Sequence, residues 1–396
     1  MLQLPFVLLL IQCGLCNNVV TNWSFDLIEK GIVTESENNV DLIVSGATIA
    51  QGALHGGLYF DGVDDYAAGN STSMVQGTIG DLSEGTISAW FRFDHHPEFM
   101  DIETIFYFGA ENTYSSFGTS ANCYELEVGH FSSEKRLYWT NISTPEEDVS
   151  IPLCWSTSNH LGTGTWYHIV TATSNLGTHV YLNNVEIYNS QGLTWQFGNE
   201  SVRRFLGDVL QQEVLWFGKG LWNDEHQYFE GVIDEVKIWD YAITPEEVHK
   251  EHERVASVGE LLIDNAIPQN LVLTASEFEL HGSYDNIVQL QWQIADGDWT
   301  TQLNNDLNTT WNLLINETVP AGRHEVKVIG RNAANRPFSD SRILIQPDMT
   351  GDDIVDIKDL LIIIQNWGVC DCIEDLTGNG EVDFADILIL IGAWGN

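Results

Sequence analysis

Positive charge is what this 396-residue chain lacks most: 16 lysines and arginines face 57 aspartates and glutamates, a formal net charge of −41. Such a surface is a poor partner for nucleic acid and anionic membranes, which are bound through clustered cations. Divalent cations, a salty medium and neutral or basic ligands suit it better. Long apolar runs are missing too. Leu2 to Ile11 spans about ten residues, too short to cross a bilayer, and no other stretch approaches the required length. Neither a G-x-S-x-G elbow nor an H-E-x-x-H pair occurs, so two common hydrolase patterns are absent. The histidines, His95-His96 among them, are scattered and read as solvated or packed side chains.

What is present is globular. Hydrophobic residues make up 43% of the chain, enough for several cores, and the length allows two or three domains. Residues 1–16 read as a signal peptide: the Leu2–Ile11 core is followed by small Cys13 and Cys16, with cleavage before Asn17. The protein is therefore expected to be secreted and soluble. Four cysteines then remain. Cys123 and Cys154 are the natural disulfide pair for an oxidising compartment, closing a loop of about thirty residues. Cys370 and Cys372 are left open, because one intervening residue constrains a direct bond and two thiols are too few for a metal site.

The most informative stretch is a repeat near the end. Asp348–Gly368 reads DMTGDDIVDIKDLLIIIQNWG and Asp375–Gly395 reads DLTGNGEVDFADILILIGAWG. A calcium loop takes hard oxygen ligands at positions 1, 3, 5, 9 and 12 and a backbone carbonyl at position 7. The first copy offers Asp348, Thr350, Asp352, Asp356 and Asp359, with Ile354 at the carbonyl position. The second offers Asp375, Thr377, Asn379, Asp383 and Asp386, with Glu381 there. Position 6 must turn sharply, which suits Gly380 better than Asp353, so the first loop is expected to be the weaker site. Leu360, Ile363, Ile364 and Trp367 follow at helical spacing, as do Ile387, Leu390, Ile391 and Trp394. Leu361, Ile362, Leu388 and Ile389 make these helices apolar on further faces, a surplus that points to a partner surface.

These residues resemble a type I dockerin, the module that plugs secreted polysaccharide-degrading enzymes into a cohesin scaffold. The resemblance implies Ca2+ as cofactor and a cohesin-like protein as partner. Positions 10 and 11 depart from the usual Ser-Thr-like pairs, being Ile357-Lys358 and Phe384-Ala385, which leaves the partner open.

Residues 20–258 read as one large β domain of short alternating runs between turns. In EGTISAWFRFD (84–94), Ile87, Ala89 and Phe91 alternate with Ser88, Trp90 and Arg92, the mark of a half-buried strand. Asn183-Asn184 forms a tight hairpin, and Thr244, Pro245 and Glu247 announce a capped helix. The phrases Phe60–Tyr66, Trp166–Asn184 and Gly231–Ile238 resemble the laminin-G-like, concanavalin A-like jelly-roll family. That resemblance implies glycan or protein binding, in some members with a structural calcium. Asp234 with Asp61 or Asp64 could supply oxygen ligands, or could be ordinary strand-end acids. Trp155, Trp195, Trp222 and Tyr228 could stack on sugars or pack in the core. The E-x-D-x-x-E and E-x-D-x-E patterns of jelly-roll glucanases do not occur, and Glu230, Asp234 and Glu235 have the wrong spacing.

Residues 262–346 read as a smaller β unit whose P-A-G-x-H-x-V phrase, starting at Pro320, resembles immunoglobulin or fibronectin III modules; this implies a spacer. Residues 347–396 complete the chain as the dockerin-like module. The N-x-S/T sequons at Asn22, Asn70, Asn141, Asn199, Asn308 and Asn316 decide nothing about the host. The expected architecture is mostly β, a jelly-roll sandwich plus an Ig-like sandwich with a small helical paired calcium-loop domain. The expected function is secreted recognition of a glycan or glycoprotein near polysaccharide breakdown. The rivals are a glycoside hydrolase or lyase acting in the jelly-roll cleft, and an adhesion protein with a calcium-stabilised cap.

Overall fold

The structure is a computed structural model that describes residues 18–95, 102–111, 123–131, 134–142, 153–156, 161–187, 193–195, 204–222, 225–273, 278–295, 297–303, 309–315 and 319–395. For 129–131, 134–142, 153–156, 193–195, 222 and 302–303 it describes the backbone alone. The leader, the Asn199, Asn308 and Asn316 sequons and the side chains of Trp155, Trp195 and Trp222 lie outside the described residues.

The front of the chain is a two-sheet sandwich. One sheet of eight strands runs in the order Val185–Ile187, Gly177–Leu182, Trp166–Ser174, Gly85–Phe93, Glu230–Trp239, Gly56–Asp61, Thr48–Gln51, with Val19–Trp23 also pairing to Glu230–Trp239. The other has nine strands and centres on Glu134–Ile142, Cys123–Phe131, Ile102–Gly109, Val214–Phe217 and Tyr66–Gly69. Phe60, Phe91, Phe93, Phe106, Phe108, Phe217 and Tyr124 fill the space between them. Asn183 and Asn184 take φ of 49° and 63°, the left-handed pair that a two-residue hairpin requires. Glu247 closes the capping box on Thr244 at the start of helix Pro245–Ala256.

Two expectations are corrected here. Strand Gly85–Phe93 is buried along its whole length, on both faces. Ile87, Ala89 and Phe91 point into the sandwich, but Trp90 stacks on both His168 and His252, two rings that also touch each other, beneath the Pro245–Ala256 helix. Alternation in sequence thus marked two different covers, not one wet face. The Cys123–Cys154 disulfide is also absent: Cys123 is a free, buried thiol. Cys123 lies opposite Ile142, and Cys154 opposite Trp139, on the two sides of strand Glu134–Ile142. A whole strand therefore separates them, about 9–10 Å sideways, beyond the roughly 7 Å Cα separation a disulfide tolerates. The open pair is bonded instead, Cys370 to Cys372, with Cα atoms 5.4 Å apart.

A smaller sandwich follows. Three strands (Glu260–Ile263, Phe278–Asp285, Thr310–Ile315) face five (Asn270–Val272, Pro337–Gln346, Gly322–Arg331, Gln289–Ile294, Thr300–Leu303) across Leu280, Tyr284, Trp292, Trp311 and Val328. The tail carries helices Ile357–Gln365 and Phe384–Gly392, capped by Asp356 and Asp383. Its core joins Val355, Ile363, Leu376, Val382 and Leu390 to Ile345 of the smaller sandwich. Among the described residues no helix is long and apolar enough to cross a membrane.

Candidate functional site

The outer face of the nine-stranded sheet collects the front domain's chemistry. Period-2 geometry sends Tyr124, Leu126 and Val128 of strand Cys123–Phe131 inward, and so turns Cys123, Glu125 and Glu127 outward. Glu125 and Glu127 are nonetheless buried, at 5% and 3% exposure. The hairpin of Lys219–Trp222 and Glu225–Tyr228 lies over Glu125. Gly220 is pressed so closely on Thr104 and Glu125 that no Cβ would fit. Thr104 donates to Glu125 Oε1 at 2.8 Å. Burial pushes the Glu125 carboxyl up to about 8, and burial with the neighbouring Glu125 raises Glu127 well above the usual range.

Beside this pair the face is aromatic. Tyr107 and Trp216 stack at 5.3 Å, and His226 meets Trp216 edge-on at 5.7 Å. Lys219 Nζ sits 4.4 Å from the ring centroids of Tyr66 and of Trp216. Tyr66 and Tyr228 are half-buried and His226 is exposed, so the patch opens to solvent. Of the four aromatics singled out in sequence, Tyr228 falls here. Glu125, Glu127, Lys219, Tyr66 and Trp216 were missed; the alternation in Cys123–Phe131 was the available signal.

The sequence-predicted acids of this domain separate. Asp61 and Asp64 join Asp65, with ligand oxygens all within 4.8 Å of one another. The turn explains that closeness: Asp61 Oδ1 accepts from Val63 N at 2.9 Å, and Asp65 Oδ2 from Asp61 N at 3.1 Å. Asp234 takes no part. It is fully buried at a bulge, accepts from Leu54 N and Glu235 N, and burial raises its pKa well above the carboxylate range. A polar cleft of about 370 Å³ also opens between the two sandwiches, lined by Asp26, His55, Tyr284 and Asp285. Tyr284 is 5% exposed and gives that cleft no stacking surface.

In the tail the two loops fold alike. Asp348 accepts from Gly351 N (2.7 Å) and Asp353 N (2.8 Å), and Asp375 from Gly378 N and Gly380 N, both 2.7 Å. Thr350 and Thr377 bridge to position 1 at 3.1 and 3.0 Å. Their amides donate to the position-12 acids Asp359 and Asp386, which are fully buried. Asp356 and Asp383 cap the helices, while Asp352 and Asn379 accept from Ile354 N and Glu381 N. Position 6 is left-handed in both, φ 63° at Asp353 and 88° at Gly380. All side-chain donors are hard oxygens, and the buried position-12 carboxylates have no ion-pair partner among the described residues, so the residues fit a calcium ion. One asymmetry stands out: Lys358 Nζ lies 2.6 Å from Asp352 and 3.6 Å from Asp356. The first loop thus holds an ammonium on two of its own candidate ligands.

A family model described as the Concanavalin A-like lectin/glucanases superfamily matches residues 61–249. The front sandwich is therefore a concanavalin A-like domain. No curated protein matches the chain. Among solved structures, domain 4 of AbnA, a GH43 extracellular arabinanase from Geobacillus stearothermophilus, in complex with arabinotriose, is 18% identical. It covers 60% of this chain and 98% of its own, with a TM-score of 0.40. The Ruminococcus gnavus IT-sialidase CBM40 bound to α2,3 sialyllactose is 14% identical over 48% of this chain and 93% of its own, with a TM-score of 0.36. Trypanosoma rangeli sialidase is 14% identical at a TM-score of 0.40; the match covers 59% of this chain and 32% of that one. Scores this low leave the fold to the topology above.

Proposed function

We propose that the protein is an exported carbohydrate-recognition protein whose front domain binds a glycan on the outer face of the nine-stranded sheet. The carrying observation is the open patch of Tyr66, His226 and Tyr228, backed by the buried Trp216, because aromatic faces stack on the C–H faces of sugar rings. The family match supports a sugar as the ligand class. The smaller sandwich acts as an Ig-like spacer. The tail acts as a calcium-dependent, dockerin-like docking module for a cohesin-like partner. Half of the large apolar side chains left exposed among the described residues fall in the last fifty, including Leu361, Trp367, Leu388 and Trp394. A tail serving only as a cap would bury them, so the exposure favours docking.

A second reading, glycoside hydrolysis, rests on Glu125 and Glu127, two carboxyls on one strand face. Hydrolysis needs one of the pair ionised and the other protonated. Here both are pushed toward the protonated form, which favours binding. The test is depletion of the full chain from solution by insoluble polysaccharides, with Tyr228→Ala, a change at the half-buried edge of the patch, as control. Loss of depletion in the variant supports the assignment, and unchanged depletion removes it.

A further inference from the structure

Four lysine and arginine side chains are buried among the described residues, and three hold a carboxylate: Arg92 with Asp94, Lys237 with Glu251 and Arg342 with Asp340. Lys219 does not. It is 8% exposed, and its ammonium lies 4.4 Å from the rings of Tyr66 and Trp216 and 5.9 Å from that of Tyr228. No carboxylate of the described residues forms an ion pair with it. In a chain with 57 acids and 16 bases, pairing partners are plentiful, so a desolvated lysine without one is a charge held for something else. Ring faces stabilise an ammonium through their quadrupole; burial lowers the Lys219 pKa from the usual lysine value, and the charge of Glu111, which forms no ion pair with it, acts against that shift. The neighbouring Glu125 and Glu127 are pushed by burial toward their neutral forms and do not cancel it near neutral pH.

Building on the carbohydrate-binding reading, we infer that Lys219 and its aromatic ring form a subsite for an acidic sugar. The anionic substituent of the glycan, a carboxylate or a sulfate ester, pairs with the ammonium while Tyr66 or Tyr228 stacks on the sugar ring. The long-range field of a −41 chain repels polyanions, so a loosely held acidic glycan is rejected and one whose anion reaches Lys219 is kept. One fixed cation in an acidic surface thereby selects by geometry.

The test is calorimetry on the full chain with three probes: a uronic-acid oligosaccharide, the same oligosaccharide with its carboxyls reduced to alcohols, and a sulfated galactan oligosaccharide. At least one anionic probe should bind ten-fold or more tighter than the neutral one, and the better of the two identifies the anion. Lys219→Gln should erase that preference, and Lys219→Arg should keep part of it. Equal binding of neutral and anionic probes by the unaltered chain, or an intact preference in Lys219→Gln, overturns the subsite and leaves glycan recognition standing. Failure of all three probes and of neutral polysaccharides overturns both. Should Lys219→Gln lose its near-ultraviolet circular dichroism, the comparison of probes on the unaltered chain decides alone.

Discussion

Glu125 shows how a single buried group couples the site to the stability of the whole domain. In the fold it keeps its proton up to about pH 8, whereas a solvated glutamate loses it near 4.5. The stability tied to that proton is fully present below about pH 4.5 and is lost as pH rises toward 8. Glu125→Gln keeps the shape and stays neutral, so it should flatten the fall in Tm between about pH 5 and 8 by a few degrees relative to the unaltered chain. Parallel Tm curves would contradict the burial argument. In the tail, Lys358 competes with any cation for Asp352 and Asp356. Lys358→Ala should tighten calcium at the first loop several-fold in a titration, and Asp375→Ala should cost more affinity than Asp348→Ala. Equal losses from the two aspartate variants, or unchanged affinity in Lys358→Ala, would remove the asymmetry. The matching turns of the two tail loops were legible because their twelve positions are contiguous in sequence. The Lys219 patch was not, since Tyr66, Trp216 and Tyr228 meet only through sheet pairing and a hairpin.

At the scale of elements, the hairpin of Lys219–Trp222 and Glu225–Tyr228 packs on Glu125 and carries Lys219, His226 and Tyr228 of the patch. Gly220 is its contact with the sheet, so Gly220→Ala must lift the hairpin from Thr104 and Glu125. The expected cost is about 1–3 kcal/mol in chemical denaturation, together with weaker glycan binding; an unchanged midpoint would show that the hairpin shifts freely. The tail helices are tied to the preceding strand, because Ile345 is buried in their core and Ile343 packs against it. A fragment starting at residue 346 therefore lacks part of its core, and calcium effects belong in the full chain. There, saturating calcium at about 100 times Kd should stabilise the tail by about 2.7 kcal/mol per site, and a chelator should remove that gain. No difference between calcium and chelator would contradict calcium binding. Hairpin Asn183-Asn184 and the Thr244 cap were readable in advance because both are local. The burial of Trp90 was not: its cover, His252, comes from a helix 160 residues later.

In the whole molecule the two sandwiches interlock. Asn332 donates from its side chain to Ala256 O at 2.8 Å and Val258 O at 2.9 Å, and Arg336 pairs with Glu253 at 2.6 Å. Val288, Ala333 and Ala334 pack with Ala53, Trp90 and Val255. The eight-stranded sheet is thus closed off by the helix and the smaller sandwich, which leaves the outer face of the nine-stranded sheet for a ligand. The acidic composition was legible as an exclusion of nucleic acid, but only the fold shows which buried cation, among the described residues, has no carboxylate within ion-pair distance. The central claim is that this face recognises sugars without cleaving them. Its most direct test incubates the full chain with a polysaccharide panel that includes acidic members, and follows both depletion of protein and new reducing ends. Depletion that depends on Tyr228, with no new reducing ends, is the predicted result. New reducing ends that vanish in Glu127→Gln would contradict it and make the buried pair a catalytic one.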